Sequence, residues 1–247
     1  MTCRYFFSGN KNDYSTIKLH HYFLDKVKRK FRVLRGFERF YDDIDPKEKF
    51  AFFPLHFEPE TTLLLLAPFY TDQIWLIKQM ARSLPAGRKL YIKEHPSMFG
   101  YRPSNFYKTI KKIPNVKLIK PEIEGFELLK TAELVFVIAG TAGWEASLLG
   151  KPVITFGNVF YNILPGVKKC ATIEDMPNIV KNQIENFQSD EKSLINFVTA
   201  VLKESADVDL VKIWKVELAG KIKARAGELA SLADLISKKL SKNNHDS

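Results

Sequence analysis

The sequence predicts a doubly wound α/β fold, a mainly parallel Rossmann-like sheet with an N-terminal helix and a C-terminal helical extension. Three observations predict it. From Phe50 onward, short apolar runs alternate with segments of helical period. The run Leu134-Val135-Phe136-Val137-Ile138-Ala139 is apolar on both faces, as a strand covered by helices on each side must be. A chain of 247 residues that is 45% hydrophobic and 13% aromatic can bury a sizeable core, which excludes wholesale disorder, collagen and coiled coil.

Taken in order, residues 18 to 41 place Leu19, Phe23, Val27, Phe31, Leu34, Phe37 and Tyr41 three or four apart, one face of a helix that Gly36 weakens near its end. Lys26, Lys28, Arg29, Lys30, Arg32 and Arg35 stand among them with no acid between, so this helix either packs on the sheet domain or on a partner, or rests on an anionic membrane surface. Strands are expected at Phe50–Phe57, Lys89–Lys93, Val116–Ile119, Leu134–Ala139 and Val153–Phe156, and helices at Thr71–Ser83, Ser104–Lys112, Gly125–Thr131 and Gly143–Leu149. After about Met176 the pattern is helical only. It ends in a long segment from Leu210 to about Leu240, bent or broken at Gly220 and Gly227. The expected division is residues 1–49, 50–175 and 176–247.

Thirty-eight Lys and Arg against 28 Asp and Glu give a formal net charge of +10, which favours anionic partners: phosphorylated small molecules, lipid headgroups or nucleic acid. No nucleic-acid recognition motif accompanies the basic residues, so nucleic acid is the least favoured of these. Cys3 and Cys170 form neither a zinc ribbon nor a disulfide framework, which suggests a reduced, cytosolic setting. Met1 to Phe7 lacks a long apolar stretch, and Leu63–Tyr70, interrupted by Pro68, falls short of the roughly 20 residues of a membrane span. The expectation is a soluble or peripheral chain.

Open α/β sheets bind ligands outside the carboxyl ends of their strands, so the chemistry is sought in the turns there. After the first strand, His56, Glu58 and Glu60 open a long loop and could act as general acids or bases. After the second, Lys93-Glu94-His95-Pro96 places Lys93 and His95 at the edge, with Pro96 stopping the ladder and the imidazole available to a phosphate. After the fourth, Gly140-Thr141-Ala142-Gly143-Trp144-Glu145-Ala146 opens a helix whose free amides and dipole suit phosphate. Small Gly140, Ala142 and Gly143 admit a ligand to the backbone, Thr141 serves as N-cap and phosphate ligand, and Glu145 can accept from ribose hydroxyls. After the fifth, Phe160 in an aromatic loop could cover a base or sugar. GxxxxGK[ST] and GxGxxG are both absent, so ATPase and classical dinucleotide readings fail. Asp43-Ile44-Asp45 abuts Pro46 and reads as a linker turn, and no cluster has metal spacing.

The ordered set Phe53-Pro54-Leu55-His56-Phe57-Glu58-Pro59-Glu60, Asp72-Gln73, Lys93-Glu94-His95-Pro96, Gly140 to Ala146 and Gly150-Lys151-Pro152-Val153 resembles the capsule polysaccharide biosynthesis family, which includes Kdo transferases. The resemblance covers residues 50 to about 170. It implies a GT-B glycosyltransferase architecture of two Rossmann-like domains, of which residues 50–175 would be the donor-binding half. By that similarity His95-Pro96 lies near the nucleotide phosphate, Thr141 and Glu145 mark the donor-binding helix start, and Glu58, Glu60 or Asp72 serves the acceptor or the anomeric centre. Only 49 residues precede the first strand, so the acceptor half is expected to be missing or supplied elsewhere. The resemblance thus implies transfer of a sugar, CMP-linked and acidic by first expectation, from a nucleotide donor to a polysaccharide or glycolipid at the cytoplasmic membrane face, without metal or bound cofactor. A non-catalytic nucleotide-sugar module docking to another chain and a GT-B-type sugar-nucleotide epimerase are the alternatives.

Overall fold

The computed structural model describes residues 23–24, 26–27, 29–30, 36–58, 61–209 and 229–243. Residues 1–190 and 191–247 form two units.

The first unit is built on β1 (Phe50–Pro54), β2 (Lys89–Lys93), β3 (Val116–Ile119), β4 (Leu134–Val137), β5 (Val153–Thr155) and β6 (Val167–Lys169). All neighbouring pairs are parallel, in the order β3-β2-β1-β4-β5-β6. The order reverses between β1 and β4, and such a switch point leaves a crevice above the strand ends.

Helices α1 (Thr61–Leu66), α2 (Gln73–Ser83), α3 (Ser104–Lys111), α4 (Gly125–Thr131), α5 (Thr141–Leu148) and α6 (Met176–Glu185) cover the sheet. Alternation along the strands sends Ala51, Phe53, Leu90, Ile92, Leu134 and Phe136 into one buried cluster with Leu76, Ile77 and Met80 of α2 and Met176 and Val180 of α6. The other face is equally dry: Phe50, Phe52, Tyr91, Val135 and Val153 are buried too. Burial on both faces is what the double-sided apolarity of the strands requires.

Three strands stop earlier than their apolar runs suggest, β5 by a single residue, at Thr155. β1 ends at Pro54 because the His56 N–H donates to Gln73 Oε1 at 2.9 Å and the His56 carbonyl accepts from Gln73 Nε2 at 3.3 Å. β4 ends at Val137, and the next N–H, of Ile138, donates to His56 Nε2 at 3.3 Å. The stretch expected to be loop before the second helix contains α1. At Asp45, Oδ1 accepts from the Lys47 N–H at 2.9 Å, making the turn expected there.

The outer edge of β3 is occupied by Asp42, whose N–H donates to the Leu118 carbonyl at 2.7 Å while its Oδ2 accepts from the Leu118 N–H at 2.9 Å. At the opposite edge, β6 is three residues long and two of them, Lys168 and Lys169, are exposed.

The second unit contains α7 (Glu191–Lys203) and α8 (Ala230–Asn243), joined by a Lys239–Glu204 ion pair and by the Ser231 hydroxyl donating to the Asp207 carbonyl at 2.9 Å. Most of the long helix expected from Leu210 to Leu240, and much of the one expected over residues 18 to 41, lie outside the described residues. Among the described residues no helix is long and apolar enough to cross a membrane.

Candidate functional site

A cleft of about 230 Å³ opens at the switch point, lined by Pro54 and Leu55 at the end of β1, Lys93 to Pro96 at the end of β2, Gly125 and Phe126 of α4, and Ala142 and Glu145 of α5. The topology thus brings together segments far apart in sequence. Of the residues expected to hold the ligand, Lys93, His95, Pro96, Ala142 and Glu145 line this cleft.

Lys93 is 8% exposed, and its ammonium donates to the Pro121 carbonyl at 3.1 Å. It forms no ion pair among the described residues. Burial pushes its pKa below the usual lysine value, against the opposing pull of Glu122 and Glu94. A cation held this way gains by meeting an anion inside the cleft.

His95 Nδ1 accepts from the Ser97 N–H at 3.2 Å. In the neutral ring this bond assigns the proton to Nε2, leaving an N–H donor for a ligand. Pro96 opens the short 3-10 turn Pro96–Met98 that fixes this geometry.

At α5 the N-cap is Gly140, not Thr141 as expected: Gly140 is extended, at φ −93° and ψ 166°, and no side chain caps the helix. The first-turn amides are therefore unserved by a capping oxygen, a favourable end for an anion. Thr141 is exposed at the first helical position, and neither its side chain nor that of the half-buried Glu145 has a hydrogen-bonded or ionic partner among the described residues.

The glycines answer to packing. A Cβ at Gly143 would fall 2.5 Å from Tyr161 Oη and 2.7 Å from Val137 Cγ2, so the close approach there is to Tyr161. The Tyr161 hydroxyl, whose pKa burial raises, donates to the Gly140 carbonyl at 2.5 Å. Phe160 is exposed beside Trp144, with ring centroids 5.5 Å apart, and lies outside the lining of the cleft.

The groups expected to act as acids or bases are engaged elsewhere. His56 is buried, its Nε2 taken by Ile138 and its Cε1 3.0 Å from where a Gly140 Cβ would stand. Glu58 receives Arg102 Nη1 at 2.7 Å and the Gln73 amide. Asp72 caps α2, accepting from the Trp75 N–H at 3.0 Å. Glu60 lies outside the described residues.

Sequence reasoning passed over Arg102 and treated Gln73 and Glu94 only as parts of their motifs. Glu94 is fully buried and accepts from Arg102 Nε at 3.3 Å, the Tyr107 hydroxyl at 2.7 Å and the His95 N–H at 2.9 Å. Burial, then the Glu94 charge, raises the Tyr107 pKa and keeps that hydroxyl a donor. Charged residues in an apolar stretch next to a site motif were the available signal. Their pairing was not, since Arg102 lies 44 residues from Glu58.

A family model described as capsule polysaccharide biosynthesis protein matches residues 40–197. Protein FixF of Sinorhizobium fredii is 33% identical over 135 residues, which are 52% of this chain and 31% of that protein. The Thermosulfurimonas dismutans KpsC beta Kdo 2,7 transferase superposes with a TM-score of 0.43 at 16% identity, over 70% of this chain and 62% of that one. The UDP-GlcNAc 2-epimerase of Methanocaldococcus jannaschii gives 0.46 at 18% identity, over 71% and 51%. The chain spans less than two thirds of each of these relatives.

Proposed function

Because the chain belongs to the capsule polysaccharide biosynthesis protein family, we propose that its switch-point cleft holds a nucleotide sugar and that the chain is a glycosyltransferase, or the donor-binding half of one. The observation that carries this reading is the convergence in one cleft of a buried cation, an imidazole N–H donor and the start of an uncapped helix, with Glu145 beside them.

As the glycosidic bond breaks, negative charge grows on the leaving phosphate. In this reading Lys93, His95 Nε2–H and the α5 amides stabilise it, as groups that need little reorganisation at the moment of reaction. Glu145 accepts from ribose hydroxyls. The donor is a CMP-linked acidic sugar such as Kdo, whose second negative charge suits the same cationic wall. The acceptor is a growing polysaccharide or glycolipid, met at the cytoplasmic face of the membrane. His56 and Glu58, engaged as they are, shape the edge of the site.

Calorimetric titration with cytidine, uridine, their monophosphates and a sugar nucleotide tests the site. His95→Ala and Thr141→Ala should weaken only phosphorylated ligands, by about 1–3 kcal/mol, while Glu145→Ala weakens nucleoside and nucleotide alike. Wild-type binding that none of the three changes alters would move the ligand elsewhere. Product analysis after incubation with donor and acceptor separates transfer from epimerisation and from binding alone.

A further inference from the structure

We infer that Arg102 is the positioning residue of this site: one buried guanidinium sets the loops after β1, β2 and β4 in register, so that His95 and the start of α5 face one ligand. The inference rests on the reading of the cleft as a nucleotide-sugar site.

Three donor positions of Arg102 are spent on two different loops. Nη2 donates to the His56 carbonyl at 2.6 Å and Nη1 to Glu58 Oε2 at 2.7 Å, both after β1. Nε donates to Glu94 Oε1 at 3.3 Å, after β2, and the guanidinium carbon lies 4.5 Å from the centre of the Phe106 ring. A planar fork fixes the relative direction of its partners in a way a lysine ammonium cannot.

Each contact leads to a group in the cleft. Glu94 Oε1, the oxygen that Arg102 holds, also accepts the His95 N–H, so turning the carboxylate turns the peptide that carries the imidazole. His56, gripped at its carbonyl, presents Nε2 to the Ile138 N–H and its ring edge to Gly140, the cap of α5. Arg102 itself is absent from the lining of the cleft and acts through these neighbours.

Stability and positioning can be separated. Arg102→Met strands the Glu94 charge and is expected to unfold easily, so the charge-balanced pair Arg102→Met/Glu94→Gln is the informative protein, with Arg102→Lys as a charge-retaining companion. Each is made with and without His95→Ala. Three measurements follow: thermal unfolding, calorimetric titration with CMP and UDP, and the position of the His95 imidazole resonance without ligand.

In the native background His95→Ala should weaken nucleotide binding about tenfold. In the charge-balanced background the melting temperature should stay near native, binding should already be about tenfold weaker, and adding His95→Ala should cost less than about twofold. The ligand-free His95 resonance should be displaced in both Arg102 variants. An unmoved resonance, or a full tenfold cost of His95→Ala in the balanced background, overturns the inference. If the native protein binds neither nucleotide, the functional reading falls, and the resonance alone then decides for or against Arg102.

Discussion

The loops that follow β1 and β2 meet on the Arg102 guanidinium, whereas those that follow β4 and β5 meet where the Tyr161 hydroxyl enters the notch left by Gly143. One side is joined by charge, with Glu94 and Arg102 taken out of water and each guanidinium nitrogen hydrogen-bonded. The other is joined by shape, a phenol filling the space a Cβ would take. A buried ion pair tolerates the loss of both partners far better than the loss of one. A filled notch tolerates neither added volume nor a lost hydroxyl, but is indifferent to charge. Half of the site is therefore sensitive to charge balance, and half to single carbon atoms.

Glu94→Ala should have the largest effect. It strips Arg102 Nε and the Tyr107 hydroxyl of their acceptor, and urea unfolding should register a loss of about 3–5 kcal/mol. Glu58→Ala breaks a pair whose carboxylate side is 41% exposed and should cost no more than about 1 kcal/mol. Equal losses would dissolve the contrast between buried and rim charges on that side.

On the other side, Gly143→Ala should cost about 1–3 kcal/mol, unchanged between pH 6 and about pH 8. Adding Tyr161→Phe removes the nearest clashing atom and should restore part of the loss, leaving the Val137 contact to account for the rest. A lack of any coupling between the two substitutions would show that the notch does not work as described. Tyr161→Phe alone should cost about 1 kcal/mol, the hydrogen bond to the Gly140 carbonyl.

The smallest effect belongs to Lys93. Burial lowers its folded pKa below the unfolded value, so between the two the unfolded chain binds more protons and stability rises with pH. The advantage of wild type over Lys93→Met should therefore climb toward the ordinary lysine value of 10.5, the tyrosines cancelling in the difference. A flat difference would mean that the ammonium is as well solvated folded as unfolded.

Much of this was legible in the residues. Lys89–Lys93, Val116–Ile119 and Gly125–Thr131 form with the expected bounds, because each is a short run whose neighbours supply turn chemistry. β6 was missed: Val167-Lys168-Lys169 has one apolar residue and forms only because β5 offers it a ladder. α1 was missed because Leu64 and Leu65, both exposed, give the run no helical sidedness. Lys93, His95, Ala142 and Glu145 line the cleft because they stand at or just after strand ends, and a local rule is enough to point to them. Arg102 and Gln73 matter through partners brought close only by folding. Thr141 was misread as the cap because threonine's preference for that position says nothing of where Gly140 turns.

The two rims of the sheet carry a consequence for handling the protein. Asp42 already occupies the hydrogen-bonding row of β3 around Leu118, and β6 offers three residues with two lysines among them. Neither margin presents a free, flat, apolar row on which a stranger's strand could crystallise into fibre. Concentrated samples should thus resist growth by strand recruitment, and any self-association should keep its amide infrared signature free of intermolecular sheet. Asp42→Pro would probe this from the opposite direction. It removes both the plug's amide donor and its carboxylate, and the exposed row of β3 should then seed slow, shear-accelerated aggregation.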